Sequence, residues 1–274
     1  MRGARVHPPV LKRFGQHFLF DRTVLEATAD AVAPAPDETV IEIGAGRGAL
    51  TDLLACRCRR LIAVEIDRAL ASVLRERFAG SPHVEIVEID VLDADLGAMG
   101  GGPFVVAGNV PYYITTPILF HVLQPPFPRH AVFLVQREVA ERIVASPGSK
   151  VYGALTVNVQ AISDAEIIRH VPPAAFRPRP RVDSTVIRIT PRKQERLIAP
   201  PEVRPFRIFV QAAFGMRRKQ MANVLRAVRG LSAADAGAAL ELAGIDPAAR
   251  PETLSPGQFA LLMRTTAETA IANA

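Results

Sequence analysis

From about residue 38 the chain alternates short, β-rich apolar runs with stretches whose apolar positions recur at helical spacing. The runs are Val40 to Ile43, Leu61 to Ile66, Val84 to Ile89, Phe104 to Ala107 and Ala131 to Val135. Strands separated by helical segments in this rhythm predict a parallel sheet with crossover helices, an α/β fold. Leu50 to Cys56 and Leu70 to Phe78 carry the helical spacing, and Asp67 stands where it can cap the second helix. Two later runs, Ala154 to Ile162 and Thr185 to Ile189, are expected to complete the sheet. Prolines at 172, 173, 178 and 180 stiffen the approach to the last of these.

Pro191, Pro200, Pro201 and Pro205 mark a break. Beyond it the pattern is helical throughout: Val203 to Phe214, Lys219 to Val228, Ala233 to Ala243 and Pro256 to Thr265. The expected organisation is a Rossmann-like domain over 1–195 and a small helical domain over 196–274, which 274 residues can accommodate.

Charge adds a partner class to this picture. The chain carries a net charge of +6 and a pI of about 9.9, a balance that favours a polyanion. Arg177, Arg179 and Arg181 alternate with prolines, and Arg217, Arg218 and Lys219 form a second basic block. Each block is either a solvated face or a grip on phosphates. No stretch approaches the roughly 18 to 20 apolar residues that span a bilayer, and the opening Met1 to Pro9 lacks an apolar signal core, so no membrane partner and a cytoplasmic location are expected. Cys56 and Cys58, two apart on an expected helix, point to different faces and make neither a disulfide nor a metal site.

The candidate chemistry sits at strand ends. Val40 to Leu50 reads as a strand, a glycine-rich turn with Gly44, Gly46 and Gly48, and a helix start, a turn that lets the backbone approach a ligand closely. At the next strand end Glu65 can accept hydrogen bonds from both ribose hydroxyls of an adenosine. The turn also satisfies the loose dinucleotide fingerprint, so NAD and S-adenosylmethionine both have to be weighed. The later strand ends favour the latter. Asp90 can accept from an adenine amine, or it is a helix cap. Asn109-Val110-Pro111-Tyr112 is suited to a planar amine: an amide oxygen and a carbonyl on the stiff backbone before proline accept its two hydrogens, and the Tyr ring offers a stacking face. Carboxyl ends of strands in an open sheet are where ligands bind, so Gly44, Glu65, Asp90 and Asn109 are expected to converge. No Ser-His-Asp set, metal-ligand cluster or P-loop competes. His7, His83, His121, His130 and His170 are scattered and read as structural or surface residues.

With these motifs the chain resembles the bacterial 16S rRNA adenine N6,N6-dimethyltransferase family over nearly its whole length. The carrying segments are Arg13 to Leu19, Ile41 to Thr51, Val64 to Asp67, Asn109 to Tyr112, Gln136 to Val139, Ser149 to Gly153 and Phe176 to Ser184. The resemblance implies an S-adenosylmethionine-dependent methyltransferase domain, with an N-terminal segment covering the cofactor, and a helical domain that docks on rRNA. It implies transfer of two methyl groups to each of two adjacent adenines near the 3′ end of 16S rRNA in the small ribosomal subunit or its precursor. Such an enzyme acts in rRNA processing and ribosome biogenesis, and a monomer is expected. Carried onto this sequence, cofactor contacts fall on His17, Leu19, Gly44, Glu65, Asp90 and Asn109. The target base falls to Asn109, Val110, Pro111 and Tyr112, with Phe176 over its other face, and RNA contacts fall to Arg177, Arg179, Arg181, Arg217, Arg218 and Lys219. The family usually has Asn at the position of His17 and Leu at that of Val110. The rivals are a related 23S rRNA adenine methyltransferase of the antibiotic-resistance type, a non-catalytic nucleic-acid-binding factor of the same fold, and, third, a nicotinamide dehydrogenase.

Overall fold

The computed structural model of the protein describes residues 16–192 and 196–272; Arg13, Phe14 and Gly15 of the first motif, and His7, lie outside them. In chain order the strands are β1 (Phe18–Leu19), β2 (Thr39–Ile43), β3 (Arg60–Glu65), β4 (Val84–Glu88), β5 (Phe104–Asn109), β6 (Ala131–Gln136), β7 (Ser163–Val171), β8 (Phe176–Arg177) and β9 (Ser184–Pro191). Seven form one sheet in the order β4-β3-β2-β5-β6-β9-β7. Strands β2 to β6 pair in parallel, and β9 runs antiparallel to β6. β1 and β8 make a separate two-residue antiparallel ribbon, Phe18 opposite Arg177 and Leu19 opposite Phe176. The strand order turns back at β2, which has β3 on one side and β5 on the other. A crevice therefore opens at the carboxyl ends there.

Helices α1 (Arg22–Val32), α2 (Ala49–Ala55), α3 (Arg68–Arg77), α4 (Leu96–Gly100) and α5 (Thr115–Val122) cover the sheet. Asp67 caps α3 as its sequence position suggests, accepting from the N–H groups of Ala69 and Leu70. Val24, Leu25, Ala29 and Val32 of α1 and Leu50 and Leu54 of α2 pack on Val40, Leu61, Val105 and Val132 to form the core of one face. Leu74 and Phe78 cluster with Ala63 and Ala45 elsewhere. At the middle of the sheet Gly108 allows an approach no larger residue permits: a Cβ there would lie 2.4 Å from the Ile43 carbonyl oxygen.

Continuing along the chain are α6 (Arg137–Ile143), α7 (Ala154–Gln160), α8 (Val203–Gly215), α9 (Met221–Arg229), α10 (Ala233–Leu242) and α11 (Pro256–Ala272). The run expected as a strand from Ala154 is helix α7. Its residues from Leu155 to Asn158 are nearly all buried, so their β-branched, apolar character fits a helix enclosed on every side as well as a strand. The Thr156 hydroxyl accepts from the Gly153 N–H at the helix start and itself donates to the Arg142 carbonyl. The strand that does complete the sheet, β7, lies at its edge. It is largely polar and, between its buried end residues, exposed or half-buried throughout, and so lacks the apolar signature of the inner strands.

The described residues up to Ala140, with Glu166–Pro191, form one compact unit; Glu141–Ala165, with those from Arg192 onward, form the other. The expected division after residue 195 lies near the second crossing. It omits the first, because α7 packs against α8 and α11. Helix α2 ends at Ala55, so Cys56 and Cys58 lie just past it; both are free thiols, and burial pushes that of Cys58 up to about 11.

Candidate active site

A cleft of about 200 Å³ opens at the carboxyl ends of β2 to β5. His17, Gly44, Glu65, Asp90, Asn109, Val110, Pro111 and Tyr112 all line it, so eight of the expected residues, far apart in sequence, meet in one place. Gly44 and Gly46 hold φ values of 73° and 58°, which L side chains rarely adopt, and a Cβ on Gly46 would press to 3.3 Å from the Phe18 ring.

Glu65, the last residue of β3, is buried, and its two carboxylate oxygens accept from the Gly46 N–H at 2.8 Å and the Asp67 N–H at 2.9 Å. Burial nevertheless raises its pKa above the ordinary carboxylate value. Each oxygen retains a lone pair. The side chain is thus oriented by the turn it supports, with capacity left for two ligand hydroxyls. Asp90 reconciles the two possibilities its sequence leaves open: Oδ1 caps the next turn by accepting from the Leu92 N–H at 3.0 Å, while the residue also lines the cleft. Ile66 and Leu92, both exposed apolar residues, line the same cleft and suit the faces of an adenine ring. Beneath the glycine turn lies Glu42, which is 2% exposed and whose Oε2 has no hydrogen-bond partner among the described residues. Burial, with repulsion from Glu65 and Asp52, pushes its pKa up to about 7.

The other end of the cleft is formed by Asn109, Val110, Pro111 and Tyr112. The Asn109 side-chain Nδ2 donates to the His17 backbone carbonyl at 2.8 Å. This fixes which end of the amide is which, and commits Oδ1 to accepting. The backbone that follows is held by the Thr115 hydroxyl, which donates to the Pro111 carbonyl at 3.1 Å, and by the burial of Val110. The Tyr112 hydroxyl meets that of Ser184 at 2.5 Å, and burial raises the phenol's pKa. His17 stacks on Tyr112, with ring centroids 5.7 Å apart and planes at 26°.

Two expected residues stand elsewhere. Phe176 does not face the cleft: it is fully buried, in the core cluster with Leu19, Val171, Ala175 and Val186. Its place in the β1–β8 ribbon turns its ring inward, so the expectation that it covers a bound base is corrected for this arrangement. Leu19 is likewise buried and lines only a smaller cavity beneath the glycine turn. Arg177, Arg179 and Arg181 are exposed in the first unit, the Arg177 guanidinium lying 4.8 Å over the Phe20 ring. Arg217, Arg218 and Lys219 are exposed in the second, where Arg217 lies 3.8 Å from Glu252. His83, His121 and His130 each bond a backbone carbonyl and His170 the Thr185 hydroxyl, as structural histidines do.

Ser184, Gly108, Gln16 and Tyr113 carry no role in the sequence reading. Ser184 ends the Phe176 to Ser184 motif, which was its one visible signal. Gln16 donates to the capping residue Asp67 at 3.1 Å, tying the start of the described chain to α3.

The sheet order, the glycine turn and the oriented acid closing the second parallel strand place the protein among the Rossmann-like, S-adenosylmethionine-dependent methyltransferases. The residues present fit that cofactor: Glu65 for the ribose, Asp90 with Ile66 and Leu92 for the adenine, and the open backbone of Gly44 and Gly46 for the remainder. A family model described as ribosomal RNA adenine dimethylase matches residues 10–268. The chain is 44% identical over 271 residues to the ribosomal RNA small subunit methyltransferase A of Geobacter metallireducens, covering 96% of this chain and 97% of that one. To the protein of the same name from Acidobacterium capsulatum it is 42% identical, covering 94% and 91%. Among solved structures it is similar to the 23S rRNA methyltransferase ErmE, at 30% identity and a TM-score of 0.70 over 91% of this chain and 99% of that one. A dimethyladenosine transferase from Plasmodium falciparum shares the fold, at 24% identity and a TM-score of 0.74 over 90% and 96%. The chain belongs to the ribosomal RNA adenine dimethylase family.

Proposed function

We propose that the protein dimethylates the exocyclic amines of two adjacent adenines near the 3′ end of 16S rRNA, within the small ribosomal subunit or its precursor, and so serves ribosome biogenesis. The observation that carries this reading is Asn109: its donor is committed to His17, which leaves its acceptor beside Tyr112 in a cleft that also holds an adenosine-type site. S-adenosylmethionine, when bound, supplies an electrophilic methyl group on a sulfonium.

The protein's own part is positioning. Adenine's amine is a poor nucleophile because its lone pair is delocalised into the ring. Asn109 Oδ1 and the Val110 carbonyl each accept one of its hydrogens, which favours a pyramidal nitrogen with the lone pair free to attack. Tyr112 holds the ring by stacking, and this offsets part of the few kcal/mol needed to take a base out of its stack. After transfer the nitrogen sheds a proton to solvent, so a dedicated base is unnecessary. Orientation and oriented dipoles then carry most of the rate enhancement.

Arg177, Arg179 and Arg181 in the first unit and Arg217, Arg218 and Lys219 in the second grip rRNA phosphates, and the helical region from residue 196 selects the ribosomal site. The protein acts as a monomer in the cytoplasm; no helix among the described residues is long and apolar enough to cross a membrane. The test is incubation with labelled S-adenosylmethionine and unmethylated small subunits, followed by mapping of the modified nucleotides. Dimethyladenine at the paired 3′-terminal adenines is expected. Label confined to large-subunit RNA would assign the 23S reaction instead, and RNA binding without label would assign a non-catalytic factor.

A further inference from the structure

We infer that His17 is a positioning residue for the target base: its imidazole backs the Tyr112 ring and so fixes the wall against which the adenine stacks. This rests on the methyl-transfer reading above. The 5.7 Å, 26° arrangement of the two rings is an attractive aromatic contact. The imidazole is held in that place from several directions. Its Nδ1 donates to the Pro178 carbonyl at 2.8 Å, its own backbone carbonyl takes the Asn109 amide, and the next residue, Phe18, pairs with Arg177 in the β1–β8 ribbon.

Tyr112 needs such a backing. Its hydroxyl is anchored on Ser184, but an anchor at the tip leaves the ring free to rotate about its long axis. A second plane against one face removes that freedom. The gap between His17 and Tyr112 admits no base, because two stacking gaps take roughly 7 Å, twice the spacing of stacked bases. The adenine therefore meets the opposite face of Tyr112, and imidazole, phenol and base form a column of three rings. Phe176, fully buried, offers no second face in this arrangement. An amide at position 17 could still bond the Pro178 carbonyl, but it would present no aromatic plane.

The test uses the full-length protein and the variants H17A, H17N and H17F, with 13C-labelled tyrosine rings. The chain has three tyrosines, so Y112F assigns the Tyr112 signal. H17A and H17N are each expected to move the Tyr112 ring resonances and to lower kcat on unmethylated small subunits about fivefold, with H17F restoring most of it. The calorimetric dissociation constant for S-adenosylmethionine, to which the resemblance also assigns position 17, should change less than kcat does in H17A and H17N. A roughly tenfold loss of donor affinity with kcat unchanged would make the side chain a donor contact and overturn the inference. So would a lower KM for subunits with kcat unchanged, which would mean that the imidazole only occupies the base's seat, or an H17N variant with wild-type kcat. Wild-type protein that methylates no subunit would overturn the methyl-transfer reading, whereas the Tyr112 resonances report the ring stack independently of it.

Discussion

The hydroxyls of Tyr112 and Ser184 lie 2.5 Å apart, so the turn after β5 is pinned to the first, fully buried residue of the antiparallel strand β9. Removing Ser184's hydroxyl leaves a partly buried phenol without its partner, and a hydrogen bond of this kind is worth about 0.5–1.5 kcal/mol. S184A should therefore lower kcat by about two- to tenfold without changing donor affinity. Because the two hydroxyls act as one unit, Y112F/S184A should be little worse than S184A alone. Steady-state kinetics on unmethylated small subunits checks both statements; fully additive losses would show that the pair is not coupled.

In the proposed mechanism Asn109 has two tasks, and substitutions separate them. N109A removes both and should reduce kcat by about 10²- to 10³-fold, the usual cost of losing one oriented polar group at a reacting centre. N109D keeps an acceptor but sets a carboxylate oxygen against the His17 carbonyl in place of an N–H. It should lose activity and also loosen the segment around His17, read as faster proteolysis near the N-terminus than in N109A. Full activity in N109A would remove the basis of the mechanism.

Gly108 tests the centre of the sheet rather than the chemistry. With a Cβ 2.4 Å from the Ile43 carbonyl, G108A must push β2 and β5 apart where both are buried on both faces. A loss of about 3 kcal/mol in urea unfolding is expected, at the upper end of overpacking costs. A midpoint equal to that of the wild type would contradict the close approach.

Glu42 gives a pH signature. Its folded pKa of about 7 lies above the ordinary 4.5, so between these values the folded protein holds a proton that the unfolded chain has released. The contribution is therefore fully present below pH 4.5 and is lost as pH rises through 7. E42Q cannot titrate. Relative to wild type it should gain about 3 kcal/mol between pH 4.5 and pH 8, from urea unfolding at each pH. An unchanged difference would place the Glu42 pKa near its ordinary value.

The basic blocks predict a salt effect. R217A/R218A should weaken binding to small subunits at low salt and flatten the logarithmic salt dependence by roughly 1.4 to 1.8, the equivalent of two phosphate contacts. Arg218 should contribute more than Arg217, which is partly occupied by Glu252. An unchanged slope would leave both residues on a merely solvated face.

Much of this molecule was legible in its sequence because the signals were strong and local. Five parallel strands, four of them buried, the glycine turn and the Asp67 cap each follow from side chains within a few positions of one another. Strand ends converge in an open sheet, so the meeting of Gly44, Glu65, Asp90 and Asn109 follows from their places at successive strand ends. The failures have physical reasons. Helix α7 is enclosed on all sides, which erases the periodicity that separates helix from strand, and β7 is a polar edge that carries no apolar run. The inward turn of Phe176, the Tyr112–Ser184 bond and the His17 stack depend on tertiary placement across 72 to 161 residues, and no window of sequence reports that.

The ribbon of β1 and β8 has a consequence for synthesis. The glycine turn, Glu65, Asp90 and Asn109 can all be in place once β5 has left the ribosome. The segment around His17 cannot settle until Arg177 and Pro178 emerge to receive it, and Tyr112 waits a little longer for Ser184. A nascent chain halted before residue 176 would carry the parallel strands β2 to β6, and β7 without its neighbour β9, with one wall of the cleft still missing. Competence for chemistry thus arrives late in translation, through a short stitch between the chain's opening and its middle.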